Sequence, residues 1–310
     1  MIKSKSSPIR STQSSTDSQI TELEVTDPQE LMDFLRERIS NKSRNFIKGV
    51  LSRGQVSVQQ HVITQYNYLL RTGDIVRIAW KNTQDEDYLM GMHILYEDED
   101  LIVIHKEAGL LSIATETEKK LTAYHQLSDY VKKKKATQRI FVVHRLDRDT
   151  SGVMLFAKNE KAKLTLQNHW KEYVKHRTYV AVVENEVIKQ EDTLVSWLKE
   201  SKSLHMYSSP LPNGGQEAIT TYQVKQVNSH YSLLEIQLQT GRKNQIRVHM
   251  QDIGHPIIGD EKYGSKRNPI DRLALHAHTL EFIHPRTEQP MRFESPIPTN
   301  FLQLFVGSTR

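Results

Sequence analysis

The nine residues His144-Arg145-Leu146-Asp147-Arg148-Asp149-Thr150-Ser151-Gly152 set one carboxylate, Asp147, between two arginines. They follow the apolar run Ile140-Phe141-Val142-Val143 and precede Val153-Met154-Leu155-Phe156. Two apolar runs of strand length around a polar, glycine-ended stretch predict strand–turn–strand. A carboxylate on such a turn is anchored by the sheet yet can reach a cleft. Neighbouring guanidiniums favour its ionised form and also attract phosphate. An ionised carboxylate able to act as a nucleophile, beside cations suited to a polyanion, points to chemistry on a nucleic acid. Glycoside hydrolysis by Asp147 and Asp149 fits poorly. The two lie only two positions apart, badly placed to straddle a glycosidic bond, and Asp149 is expected to bond within its own turn.

The pattern HRLDxxTSG resembles the catalytic motif of the RluA-type pseudouridine synthases, which isomerise uridine in ribosomal and transfer RNA. That reaction breaks the N1–C1′ bond, turns the uracil and joins C5 to C1′. No atom is gained or lost, so the resemblance implies no cofactor, ATP or metal. It does require a carboxylate, a group that takes a proton, and a pocket closed around the detached ring. The resemblance assigns the carboxylate to Asp147, acting either on C1′ or on a ribose proton. A second match, residues 175–183, puts Tyr179 in the place of the family's active-site tyrosine, whose ring suits uracil and whose hydroxyl can relay a proton. In a third, residues 238–249, Arg247 is expected to pair with Asp147 and Ile246 to pack on the uracil face. A desolvated carboxylate without such a partner would rise in pKa and lose its charge.

The target uridine has to leave its stack, at a cost of a few kcal/mol. By the same resemblance Arg145 fills the vacated space, as a planar cation can, and His144 joins the substrate contacts. Residues 254–264 and 273–278, with His284-Pro285, match as bracing of the cleft. Three departures stand out: Lys243-Asn244 replaces a common Thr-His, Glu107 replaces the proline of a Lys-Pro-Ala-Gly-type turn, and Gln59-Gln60 replaces an Asn-Gly. Gly259 to Gly264 with Ser265-Lys266 looks like a phosphate loop, but such loops place lysine before the hydroxyl residue. His276 and His278 share a strand face, yet without cysteines or matching carboxylates no metal site is expected.

These residues need a scaffold, and 310 residues suffice for a large domain and a small one. The first 20 residues, serine-rich and without periodicity, are expected to be a disordered tail. Residues 21–80 predict two basic helices, one starting near Asp27-Pro28 and one capped by Ser43 and stopped at Gly54. A small sheet follows, with strands at Val56-Ser57-Val58 and, after the Gly73-Asp74 turn, at Ile75-Val76-Arg77-Ile78. This arrangement resembles an S4-type RNA-binding domain, which would turn Lys42, Arg44, Lys48 and Arg53 toward RNA. Gln59-Gln60 implies a longer or different hairpin turn there. The acidic residues 81–92 read as a linker, and 93–310 as the catalytic domain.

The expected fold class is therefore α+β: a mixed, mainly antiparallel sheet with flanking helices and a central cleft, plus the small α+β module. Net charge is +5, and residues 29–80 hold eight Lys or Arg against four acids, consistent with an RNA partner. Cys is absent, which excludes disulfides and thiolate metal sites and makes the cytoplasm the default location. No apolar run reaches the roughly 18–20 residues that span a bilayer. The family's S4-bearing members favour large-subunit ribosomal RNA over transfer RNA, and a monomer is expected. A competing reading, an RNA-binding protein that kept the fold without activity, is disfavoured by intact Asp147, Tyr179 and Arg247.

Overall fold

The computed structural model describes residues 18–306, except 40, 41, 43, 53, 54, 60, 64, 82–88, 117 and 213. The expected cap Ser43, stop Gly54 and RNA contact Arg53, most of the expected tail and the acidic part of the linker lie outside the described residues. The chain divides into two compact units, one ending at Met90 and one beginning at Gly91.

In the first unit, strands β1 (Ser18–Glu24), β3 (Val56–Val58), β4 (His61–Val62) and β6 (Ile75–Lys81) form a sheet ordered β1-β6-β3-β4. Residues 18–20, assigned by sequence to the tail, belong to β1 and pair with β6. Helix α1 (Leu31–Arg38) begins later than Asp27-Pro28 predicts, because β2 (Gln29–Glu30) first pairs with β5 (Leu69–Leu70). Helix α2 (Arg44–Ser52) packs Ile47, Val50 and Leu51 into a core with Phe34, Leu35, Val56 and Val76. The hairpin after β3 is not longer than usual. Val58 pairs with His61, so the chain reverses in two residues, and Gln59 adopts the left-handed φ of 48° that an asparagine accepts more readily.

The second unit is built on one 11-stranded sheet. Its strands are β7 (Met92–Glu97), β8 (Leu101–Lys106), β9 (Phe141–Val142), β10 (Ser151–Ala157), β11 (Val174–Glu184), β12 (Glu191–Glu200), β13 (Met206–Ser209), β14 (Gln216–Val227), β15 (Tyr231–Leu238), β16 (Leu275–Ile283) and β17 (Pro290–Glu294). The order is β13-β12-β14-β15-β11-β16-β10-β8-β7, with β9 on β10 and β17 on β16. Every pairing is antiparallel except β10 with β16, so the mixed, mainly antiparallel sheet is as expected. The apolar run after Gly152 is explained by burial: every residue of β10 is buried.

Helices α3 (Ala123–Lys134), α4 (Glu160–Asn168), α5 (Trp170–Tyr173), α6 (Gln245–Asp252) and α7 (Thr299–Gln303) flank this sheet. Two have side-chain caps, Thr122 accepting from His125 N and Asn159 from Ala162 N. Helix α6 buries Ile246 and Met250 in the main core beside Val180, Val182, Leu234 and Ile236. That packing carries Arg247, one residue on, toward the cleft.

Candidate active site

The cleft, about 440 Å³, is lined by the neighbouring strands β15, β11 and β16, by the loop ahead of β10 and by the start of α6. It gathers His144, Arg145, Asp147, Tyr179, Ile246 and Arg247, residues up to 103 positions apart in sequence. Every residue expected to touch the uridine is therefore in one cavity. The four cations expected on the small domain belong to the other unit. There Lys42 lies over the Phe46 ring and Lys48 over Tyr66, while Arg44 is exposed.

Asp147 sits on the loop between β9 and β10, and that loop is tied by its backbone. Leu146 exchanges two hydrogen bonds with the Ser112 hydroxyl, donating its N–H at 3.1 Å and accepting at 2.6 Å on its carbonyl. The Arg148 carbonyl accepts from the Lys106 ammonium at 2.8 Å and from Gly109 N at 2.9 Å. At the far end Gly152 has φ +117°, and a Cβ there would stand 2.1 Å from the Ala277 carbonyl oxygen. Only glycine lets the loop enter β10 this close to β16. Ser151 accepts from Arg272 and its hydroxyl donates to His276 Nδ1 at 2.8 Å. His276 can accept because burial lowers its pKa to about 4.

Lys106 was not singled out by sequence. It is fully buried, and its three ammonium protons match three carbonyls, those of Glu107, Leu110 and Arg148, at 2.7–2.9 Å. These bonds hold the turn where Glu107 replaces a proline, together with Glu107 N donating to Gly91 O. The lysine thus supplies the rigidity that proline would otherwise lend.

Arg247 approaches Asp147, its Nη1 lying 3.5 Å from Oδ2. Its main partner is a different carboxylate. Nε and Nη2 each meet Asp260 at 2.7 Å in a bidentate pair, and the guanidinium stacks 4.9 Å from the Tyr263 ring centroid. Burial opposes the arginine's charge, but Asp260 outweighs it and raises the pKa. The expected Asp147–Arg247 pair is present as the weaker of two contacts. Asp260, within the stretch expected to brace the cleft, does so by holding this arginine. The arginines adjoining Asp147 in sequence make no ion pair with it; Arg145 is exposed on the cleft wall.

Tyr179 lies on β11 just after a register shift in its pairing with β16, Thr178 opposing Thr279 but Tyr179 opposing Ala277. The irregularity adds local twist where the phenol turns into the cleft. Burial raises its pKa, opposed by Arg177 and reinforced by Asp147. The phenol is therefore neutral near pH 7 and suited to relay a proton rather than to hold a negative charge. His144, expected to contact substrate, lines the cleft and is tied to strand β10: Nε2 accepts from Leu155 N at 2.9 Å. Burial, aided by Arg177, lowers its pKa to about 3, which keeps that acceptor unprotonated.

At Lys243-Asn244 the substituted pair stays within the scaffold. Asn244 takes the left-handed φ of 54° ahead of α6 and donates to the Tyr263 hydroxyl, while Lys243 pairs with Glu200. The segment resembling a phosphate loop is already filled, since the Lys266 and Arg267 amides both donate to the Glu184 carboxylate. His278 Nδ1 donates to the Ser295 carbonyl at 2.7 Å, and His284 braces the β7–β8 turn rather than the cleft. Among the described residues, Asp98, Asp100 and His284 bring ligand atoms within 4.8 Å of one another. Two protein groups already serve these carboxylates: His284 on Asp98 at 2.9 Å and Arg286 on Asp100 at 2.6 Å.

An anchored carboxylate, an immobilised guanidinium and a neutral phenol around one cavity are the parts needed to open and reform a bond at C1′. A family model described as RNA pseudouridylate synthase matches residues 100–252. Among relatives, the RNA pseudouridine synthase YjbO of Bacillus subtilis (strain 168) is 34% identical over 252 residues, 80% of this chain and 88% of its own length. Ribosomal large subunit pseudouridine synthase D of Xylella fastidiosa (strain Temecula1) is 36% identical over 230 residues, 70% of this chain and 69% of its own. The fold is shared with human RNA Pseudouridylate Synthase Domain Containing 4, at 24% identity and a TM-score of 0.56, covering 68% of this chain and 91% of that one. The chain belongs to the RluA-type RNA pseudouridine synthases, isomerases that convert uridine in RNA to pseudouridine.

Proposed function

We propose that this pseudouridine synthase acts on structured large-subunit ribosomal RNA, as a monomer and without a metal, with Asp147 as its catalytic carboxylate. The convergence of Asp147, Tyr179 and Arg247 in one cleft carries the assignment of roles. In this reading Asp147 assists cleavage of the N1–C1′ bond, Ile246 supports the uracil, and Tyr179 relays the proton lost from C5. Arg145, exposed beside the cleft, enters the stack left by the extruded base. The first unit is read as an S4-type module, in which Lys42, Arg44, Lys48 and Arg53 hold the RNA backbone. The similarity to a relative named for the ribosomal large subunit supports that RNA class.

The experiment is a pseudouridine map of ribosomal and transfer RNA from cells lacking the gene, rescued with wild type or Asp147→Asn. A large-subunit site that disappears and returns only with wild type is the expected result. A transfer RNA site behaving this way would replace the proposed target. No change in any RNA would overturn the assignment.

A further inference from the structure

A second groove of about 400 Å³ adjoins the cleft, and Trp170, Lys171 and Arg177 line both cavities. The isomerisation of one uridine uses nothing in it. Its walls are nonetheless built for an anion carrying a flat ring. Lys171 and Lys175 are exposed and, among the described residues, neither has an ion-pair partner. The opposing acid is Glu217, and His176 lies 3.9 Å from Glu281.

The partition between the cavities is rigid. Trp170 is half-buried, with its ring centroid 5.3 Å from that of His144 and 5.7 Å from the Arg177 guanidinium. Arg177 in turn donates to the Leu238 carbonyl at 3.2 Å. Gly241 leaves it room, because a Cβ there would stand 2.7 Å from Nη1. An aromatic platform, a fixed guanidinium and free lysines are the components that hold single-stranded nucleic acid, stacking for the base and cations for the backbone. A uridine extruded into the cleft stays tethered through its phosphates. Its neighbour in the chain must then lie in an adjoining space.

We propose that this groove binds the nucleotide next to the target uridine. Its base stacks on Trp170, the connecting phosphate passes Lys171 and Arg177 on the shared wall, and Lys175 meets the next phosphate. The enzyme thereby senses the flank of its target as well as the uridine itself. The inference rests on the proposed action on structured RNA.

The test is a binding cycle in the Asp147→Asn protein, with an RNA hairpin carrying the mapped uridine and versions made abasic 5′ or 3′ of it. Trp170→Leu should weaken binding of the intact hairpin roughly 5- to 150-fold, the loss of one stacked base. On one abasic hairpin the same substitution should cost less than about twofold, because the interaction is already gone. Trp170→Phe should recover most of the affinity. Lys171→Ala and Lys175→Ala should each lower the salt slope of binding by about 1. Equal weakening of all three RNAs by Trp170→Leu would show that the indole only props the His144 loop, and would overturn the inference. Failure of wild type to form pseudouridine in the hairpin would count against the proposed target alone, since the cycle reads affinity and not turnover.

Discussion

The Asp147 and Arg247 walls of the cleft are held in opposite ways. On the Asp147 side the backbone is clamped, at Leu146 by Ser112, at Arg148 by Lys106 and Gly109, and at Gly152 by the sheet, while among the described residues the carboxylate itself makes one ion pair, at 3.5 Å. On the Arg247 side it is the side chain that is fixed, by two 2.7 Å bonds to Asp260 and the Tyr263 ring beneath it. In the proposed roles, a carboxylate acting at C1′ is served by a firm base and a free tip, and a guanidinium beside it by a fixed position. Preorganised charge of this kind costs no rearrangement during reaction.

The largest expected effect comes from loosening the fixed wall. Asp260→Asn leaves Arg247 without its buried partner, and unfolding free energy should drop by about 3–5 kcal/mol, measured by urea denaturation. Turnover of the folded fraction should fall by roughly 10²-fold, with RNA affinity little changed. Full activity in this variant would mean that the 3.5 Å contact to Asp147 positions Arg247 unaided.

On the clamped wall the effects are smaller and one depends on pH. Burial lowers the Lys106 pKa to about 7, against the pull of Asp149 and Asp147. Between that value and about 10.4 in the unfolded chain, the folded protein binds fewer protons, so this residue makes stability rise with pH. From pH 7 to pH 9 the wild type should gain on the order of 2 kcal/mol more than Lys106→Met. Matching slopes would show that the three carbonyls keep the ammonium charged throughout. Ser112→Ala removes a buried pair of hydrogen bonds and should cost about 1–3 kcal/mol, together with a reduced kcat at unchanged KM. A rise in KM alone would place Ser112 in RNA binding instead.

Much of this site was legible from residue order, because the parts that line the cleft come as contiguous strings. Asp147 lies inside its motif, Tyr179 follows a basic cluster, and Ile246-Arg247 begin a helix. What holds them was harder to read, since it depends on distant pairings. Asp260 sits 13 residues from Arg247, and Ser112 is 34 from Leu146. Neither spacing has a periodic signature. Lys106 is of the same kind, because a lysine closing a strand usually reads as solvated, and only the packing reveals three carbonyls around it. In the small unit the helix at Leu31 started late for a similar reason, Gln29–Glu30 being drawn into a bridge with Leu69–Leu70. His144 shows a tie that no motif announces: it lines the cleft, and its Nε2 accepts from a backbone amide of β10.

The decisive measurement uses RNA labelled with tritium at uridine C5, which is released to water when C5 joins C1′. Release in a single turnover and equilibrium RNA affinity would be compared for wild type and Asp147→Asn. A free-tipped catalytic carboxylate predicts loss of release by more than about 10⁴-fold, with affinity within about threefold of wild type. Release near the wild-type rate, or affinity lost along with it, would make Asp147 a structural residue and remove the basis for the two-wall site.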